Sequence, residues 1–375
     1  MTTVTTRTAE MPESEAPTVE LDELRRVMEY YARQEWTDGL PVMPVTESYL
    51  AEFLATTRRK PDEVLFDIPH LNRTLTVRLA AINAALAGCL PEYFPVVIAA
   101  WEAIGQEPHP RRGIWQSTTG TAPFTVVNGP IRRRIDLNSR GNIFGSGFRA
   151  NATIGRAVRL ALLNVFGLRP HQLDQATQAT PAKYTACIAE NEEQSPWAPL
   201  HTEYGFDPED DVVTAFVIRS VMHIEARHAQ VPEQLAVDFA DTIRRTGALI
   251  HEYSGALLVV GPEHANLFAR AGWSKDDVRS AVFANTVRTR ADLAAAGKDA
   301  LSHHTRWRLP ADHPDAVPDT ASTGPDPDRV QVLPRPTSIQ IMVAGANNAG
   351  VSAVVEIFGL APRERPSSYS KINSE

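Results

Sequence analysis

Between Lys183 and Phe206 the sequence KYTACIAENEEQSPWAPLHTEYGF gathers Cys187, Glu190, Glu192, Glu193, Glu203, Asn191, His201 and Lys183 into 24 positions. A thiol, several carboxylates and an imidazole at short range are the ingredients of nucleophilic and acid–base chemistry. Cys187 reads as a thiolate nucleophile or redox thiol, with His201 or Lys183 lowering its pKa. The alternative is a buried cysteine packed as a small apolar residue in the strand YTACIA. Extended backbone aims Glu190 and Glu192 to one side and Glu193 to the other. One of them, desolvated, would serve as a general base; the alternative is a solvated acidic turn. Glu190, Glu192, His201 and Cys187 are the expected catalytic set.

A second group of residues suits an anion. The Gly-rich stretch from Asn138 to Asn151, with Arg140 and Arg149, feeds a helix N-terminus, where backbone N–H groups and guanidinium groups hold phosphate or carboxylate. Its glycines, Gly141, Gly145, Gly147 and Gly155, fit neither the phosphate-loop nor the dinucleotide-binding spacing. Asn128, Arg149, Asn151, Lys183, His264 and Asn347 are the expected substrate-binding residues. A metal is not expected. Two cysteines cannot close a four-thiolate site, and His223 and His228 in MHIEARH are five apart rather than the four that share a helix face. His251-Glu252 and His303-His304 are weaker hints still, although ligands drawn from distant elements, such as His201, His251 and Glu190, stay open.

The elements that must position these groups alternate. Helices are predicted over Leu21–Gln34, Glu47–Arg58, Thr76–Gly88, the stretch after Pro91, the stretch after Asn151, and SKDDVRSAVFANT with Ser274 as N-cap. Strands are predicted at Phe124–Val127, DDVVTAFVI, ALLVV and SIQIMVAG, and VSAVVEIFG is read as a short helix. Three units thus run strand, Gly or Gly-Pro turn, helix. That grammar implies an α/β fold with a mostly parallel sheet flanked by helices, as one large domain or two intimately packed halves. The division expected is a disordered tail at 1–18, an N-terminal half at 19–205 and a C-terminal half at 206–375. Sites in such sheets lie beyond the carboxyl ends of the strands, which picks out Asn128, Glu263, His264, Asn347 and Asn348. Residues 310–336 read as a long Pro-rich loop.

Composition sets the bounds. The 375 residues are 43% hydrophobic and 22% charged, enough for a sizeable core. A net charge of -8 argues against a nucleic-acid groove. No apolar run reaches the roughly 18 residues of a membrane span, and no signal-peptide pattern opens the chain, so a cytoplasmic location with reduced thiols is expected.

Several segments together resemble a bacterial family whose members occur alone or with the UGSC domain, named for its selenocysteine/cysteine-Gly-Ser-Cys motif. The matching pieces are EWTDGLPVMPVT (35–46), INAALAGCLPEYFPVVIAAWEA (82–103), VVNGPI (126–131), FGSGFRANATIGRAVRL (144–160), KYTACIAENEEQSPWAPLH (183–201) and GPEHANLFARAGWSKDDVR (261–279). Both cysteines, Cys89 and Cys187, fall inside them. The resemblance implies thiol or sulfur-related chemistry. The loop AGANNAGVSA (344–353) departs from the family's Gly-rich Lys-His-Ser pattern, which implies a changed substrate or work without the partner domain. The expectation is an enzyme acting on a small anionic molecule by thiol or carboxylate chemistry, with no cofactor identifiable. The alternative is a non-catalytic subunit completing the site of a UGSC-type partner, and a homo-oligomer is an open possibility.

Overall fold

A computed structural model describes residues 21–106, 114–245, 254–297, 328–358 and 367–373. The expectations for 1–18, His251-Glu252, His303-His304 and most of 310–336 fall outside the described residues. The elements are α1 (Leu21–Arg33), α2 (Glu47–Leu54), β1 (Val64–Ile68), β2 (Arg73–Thr76), α3 (Val77–Ala87), α4 (Phe94–Gly105), β3 (Ala122–Asn128), α5 (Ile131–Arg134) and α6 (Arg149–Asn164). They continue with β4 (Cys187–Ala189), β5 (Val212–Glu225), α7 (Pro232–Arg245), β6 (Ser254–Val260), α8 (Pro262–Arg270), α9 (Lys275–Asn285), β7 (Val287–Thr289), α10 (Arg290–Ala295), β8 (Arg329–Gln331), β9 (Ile339–Val343), β10 (Val351–Phe358) and β11 (Ser368–Lys371).

Local chemistry sets the helix ends. The Thr76 hydroxyl accepts from the Leu79 N–H to start α3, and Gly88, at φ 88°, ends it in the left-handed conformation that favours glycine. At α9, Ser274 is the N-cap that the sequence predicts, and Asp277 completes a reciprocal capping box with it.

The main sheet has seven strands in the order β4-β3-β5-β10-β6-β9, with β11 also paired to β5. The expected mostly parallel arrangement is not what forms. Only β3–β4 and β6–β9 are parallel, and the other four pairings are antiparallel. Two of those four pairings come from Val351–Phe358, read from sequence as a helix. It is a strand, inserted antiparallel between β5 and β6. Four of its eight residues are Val or Ile, which suit a pleated surface, and a short apolar run gives no periodicity to separate a strand from a buried helix.

Alternation along these strands divides the sheet between two cores. Leu257, Val259, Ala353, Val355 and Ile357 join the core built on α3, α4 and α6. Ala256, Leu258, Val260 and Val354 join the core built on α7, α8 and α9. Because β9 and β10 lie on opposite sides of β6, the chain from 344 to 350 crosses the carboxyl end of β6. Gly261 permits the crossing, since a Cβ there would stand 2.2 Å from the Val351 carbonyl oxygen.

Candidate functional site

The acidic run does converge with Asn128, at the carboxyl ends of β3 and β4. Asn128 Nδ2 donates to Glu190 Oε2 (2.7 Å) and Glu192 Oε1 (2.9 Å). Glu190 also accepts from the Leu200 N–H (2.7 Å) and, at 3.4 Å, from the Val343 N–H, so one carboxylate joins β3, β4, β9 and the turn at Leu200. Burial pushes the Glu190 carboxyl above its ordinary range, against the pull of Lys275. Glu192 accepts from the Gly129 N–H (2.8 Å) and pairs with Arg132. Gly129, at φ 91°, has the Asp210 carbonyl 2.3 Å from where a Cβ would sit, so the Asn-Gly-Pro turn tolerates no side chain.

Arg132 is the centre of this network. It is 3% exposed and donates to the carbonyls of Gly129 (2.8 Å) and Glu190 (2.6 Å) as well as to Glu192 and Glu193. Burial alone would raise the Glu193 carboxyl, but its hydrogen bonds and charge contact with Arg132 prevail and hold it at about 2. Every carboxylate oxygen of Glu190, Glu192 and Glu193 thus meets a donor. The arrangement clamps strand ends together rather than presenting a free base.

His201 lies in the 3₁₀ turn Leu200–Tyr204, fully buried, with Nε2 2.9 Å from the Asp207 carbonyl oxygen and Nδ1 without a hydrogen-bond partner. It makes no hydrogen bond to Glu190 or Cys187. Cys187 sits in β4 inside the apolar core, 4% exposed, and burial pushes its thiol up to about 12 despite a hydrogen bond with Thr125. Strand alternation turns its side chain to the opposite face from Glu190's side of the strand. Cys89 is fully buried and likewise pushed to about 12 by burial. The two thiols are free and sense each other's charge, but neither is a thiolate. Cys187, expected as a nucleophile, thus lies in the core, where burial disfavours its thiolate.

The anion loop also differs from expectation. Asn151 is a structural clamp, accepting from the Asn138 N–H (2.8 Å) and donating to the carbonyls of Asn138 (3.0 Å) and Cys187 (3.3 Å). Arg149 is exposed and donates to the Gly88 carbonyl (2.9 Å), and Phe148, at the N-cap of α6, offers no side-chain cap. Lys183 pairs with Asp174 at 2.5 Å, away from the acidic network. Asn347 is exposed on the loop after β9. His223 lies in β5 and His228 in the turn after it. Among the described residues no group of three or more His, Cys, Asp or Glu is placed to hold a metal ion.

What opens onto space is a cavity of about 750 Å³ between the first part of the Gly-rich loop (141–145) and the crossing segment (344–353). The two loops meet closely, with the Gly345 N–H donating to the Ser139 carbonyl (3.0 Å) and Gly141 against the Ala346 methyl. The acidic network holds the same segment from behind, through the Asn191 N–H to Val343 (2.7 Å) and Asn191 Nδ2 to Gly345 (3.2 Å). Ser352, His223 and Arg227 are polar groups in its wall, and none of the lining residues is Asp or Glu. The Ser352 hydroxyl accepts from the Gly261 N–H (2.9 Å) and lies 2.7 Å from His264 Nδ1. His264 Nε2 lies 3.3 Å from the Ala226 carbonyl. One tautomer satisfies both contacts: Nε2 donates to Ala226, and Nδ1 accepts the Ser352 hydroxyl proton. Burial lowers the His264 pKa from 6.5, against the Ala226 hydrogen bond and the charges of Glu263 and Asp238, which favours the neutral ring.

His264, chosen for its place after β6, joins this arrangement behind Ser352, and Asn348, picked out by the same rule, lines the cavity. Ser352 was missed because its strand was read as a helix, whose turns do not bring it to the end of β6. Arg132 carried a usable signal: a run of buried carboxylates needs a cation, and Arg132-Arg133-Arg134 follow the Asn-Gly-Pro turn directly. With this geometry in view, the chain was compared with protein-family models, curated proteins and solved structures, and none of the three gives a match.

Proposed function

We propose that the protein is an enzyme acting on a small anionic substrate by acid–base chemistry in the cavity between residues 141–145 and 344–353. One observation carries the reading. Ser352, hydrogen-bonded to the buried His264, is among the residues lining a cavity whose charged lining is cationic, Arg227 with the ionisable His223 beside it, and contains no carboxylate. Arg227, steadied by Glu225 at 2.6 Å, draws the anion to the rim. The Ser352 hydroxyl touches the bound molecule, and the neutral His264 takes its proton at Nδ1 while Ala226 fixes the ring. The Gly261 N–H polarises the hydroxyl from the other side. Glu190, Glu192 and Arg132 act as positioning residues that hold the 343–345 backbone forming one wall.

The sulfur chemistry implied by the UGSC-type resemblance gains no support from two thiols held protonated in the core. A lining serine hydrogen-bonded to a buried histidine also favours an enzyme over a subunit that completes a partner's site. The test is a turnover screen of small carboxylates and phosphates followed by NMR, with wild type, Ser352→Ala and His264→Gln. Turnover that falls by roughly a hundredfold in both variants, with substrate still bound, is the expected result, in the range for loss of a general base. Turnover unchanged in both variants would overturn the reading.

A further inference from the structure

A second cavity, of about 860 Å³, lies on the far side of α6, between α1 with the turn after it and the segment from Arg169 to Tyr184. Its floor is made by Arg159, Lys183 and Asp174. Arg159 is 4% exposed, donates from Nε to the Lys183 carbonyl (2.9 Å), and has no partner at Nη1. Its Nη2 stands 4.0 Å from Asp174 Oδ2, beyond hydrogen-bond reach, while Lys183 Nζ sits 2.5 Å from that oxygen. The other Asp174 oxygen accepts from the Ala176 N–H (3.1 Å). The remaining charged residues of the lining cancel in pairs: Arg169 faces Glu35 at 3.5 Å, and Asp38 is held by Arg156 through two 2.8 Å contacts. One carboxylate therefore serves two buried cations, and the floor carries one positive charge in excess.

A buried guanidinium short of partners is costly, and burial lowers the Arg159 pKa to about 10 against the pull of Asp174. The backbone adds an independent sign. Among the described residues, six non-glycine residues have positive φ, and three of them, Glu35 (57°), His171 (65°) and Ala179 (66°), line this cavity. Backbone held in sparsely populated conformations clusters at ligand sites. Ala179 is fixed there by Gly120, where a Cβ would come 2.5 Å from the Ala179 Cα.

We propose that this cavity is a binding site for a small organic monocarboxylate, separate from the site of the proposed reaction. The single negative charge balances the floor. Lys183 and the Nη edge of Arg159 receive the carboxylate, and Leu163, Pro170 and Tyr184 flank the organic body.

The probe is 4-fluorobenzoate observed by fluorine NMR, with the uncharged 4-fluorobenzamide as control. The benzoate is expected to bind and the benzamide not. Lys183→Gln should weaken binding by roughly tenfold or more, the range for losing one charge-assisted contact. That variant leaves Arg159 and Asp174 in charge balance, so it keeps the fold where an Arg159 variant risks it. Arg227→Gln should leave benzoate affinity unchanged, which separates this site from the cavity at Ser352. Equal binding of both probes, no benzoate binding at about 10 mM, or affinity that follows Arg227 instead of Lys183 overturns the proposal.

Discussion

The Glu190–Arg132 network and the Ser352 cavity are both dense in polar side chains, yet they do opposite things with them. In the network each carboxylate oxygen meets a donor, and Arg132 reaches two carboxylates and two carbonyls. In the cavity the lining carries Ser352, His223 and Arg227 and no carboxylate. The difference teaches that clustered chemistry-bearing residues in a sequence signal only that charge must be handled. Whether they catalyse depends on whether they also line a space that can admit a substrate. Three measurements can break or sharpen the contrast.

The largest effect belongs to Arg132→Ala. It leaves Glu192 and Glu193 without their buried cation and the carbonyls of Gly129 and Glu190 without donors. Removing one partner of such a buried pair costs about 3–5 kcal/mol. Urea denaturation of wild type and variant reads this directly. A loss below about 1 kcal/mol, the range of exposed ion pairs, would show that the network does not clamp the strand ends and would return its carboxylates to candidacy for chemistry.

A smaller effect separates the two regions by the sign of their pH response. Glu190 has a folded pKa raised above 4.5, so the folded state holds that proton longer than the unfolded state. Its contribution is full below about 4.5 and is lost as pH rises through the raised value. His264 has a folded pKa depressed below 6.5. Its contribution is full above about 6.5 and is lost as pH falls toward the lowered value. Urea midpoints measured from pH 4 to 8 should therefore show Glu190→Gln removing a decline on the rising side and His264→Gln removing a decline on the falling side. Glutamine at 190 keeps an oxygen for Asn128 and Leu200, so the fold survives. Matching slopes in both variants and wild type would mean that neither group is perturbed by its surroundings.

The sequence exposed the helices well where caps and stripes are local. Ser274 with Asp277, and Thr76 with Gly88, mark α9 and α3 almost to the residue. Strands fared well where turn chemistry flanks them, as at Asn128-Gly129-Pro130. It failed at Val351–Phe358, where strand identity comes from being sandwiched between β5 and β6, a non-local fact. That error removed two antiparallel pairings from the expected sheet and hid Ser352. The site suffered in the same way. Residue types drew attention to Cys187, Glu190 and His201, but burial and partners, which decide their roles, come from elements far away in the chain. Asn128 was legible because a strand's carboxyl end is a place the pattern can find. The bond from Asn128 to Glu190, 62 positions away, was not.

The smallest effect concerns Cys187, and it tests the boundary between core and site. A thiol at about 12 is present as thiolate in roughly one molecule in ten thousand at pH 8. At 4% exposure it is also shielded from reagents, and Cys89 is fully buried. Native protein mixed with a thiol-specific reagent such as dithionitrobenzoate at pH 8 should release almost no colour, and unfolding in guanidinium should release two equivalents. Cys187→Ala removes one sulfur from the core and a weak hydrogen bond with Thr125, a loss of about 1 kcal/mol that leaves turnover of any substrate found in the screen unchanged. Fast labelling of one thiol in the folded protein, blocked by that substitution, would mean that β4 opens to solvent far more readily than its packing indicates. Cys187 would then belong with the reactive groups, and the division between a clamped network and an open cavity would have to be redrawn along the other face of β4.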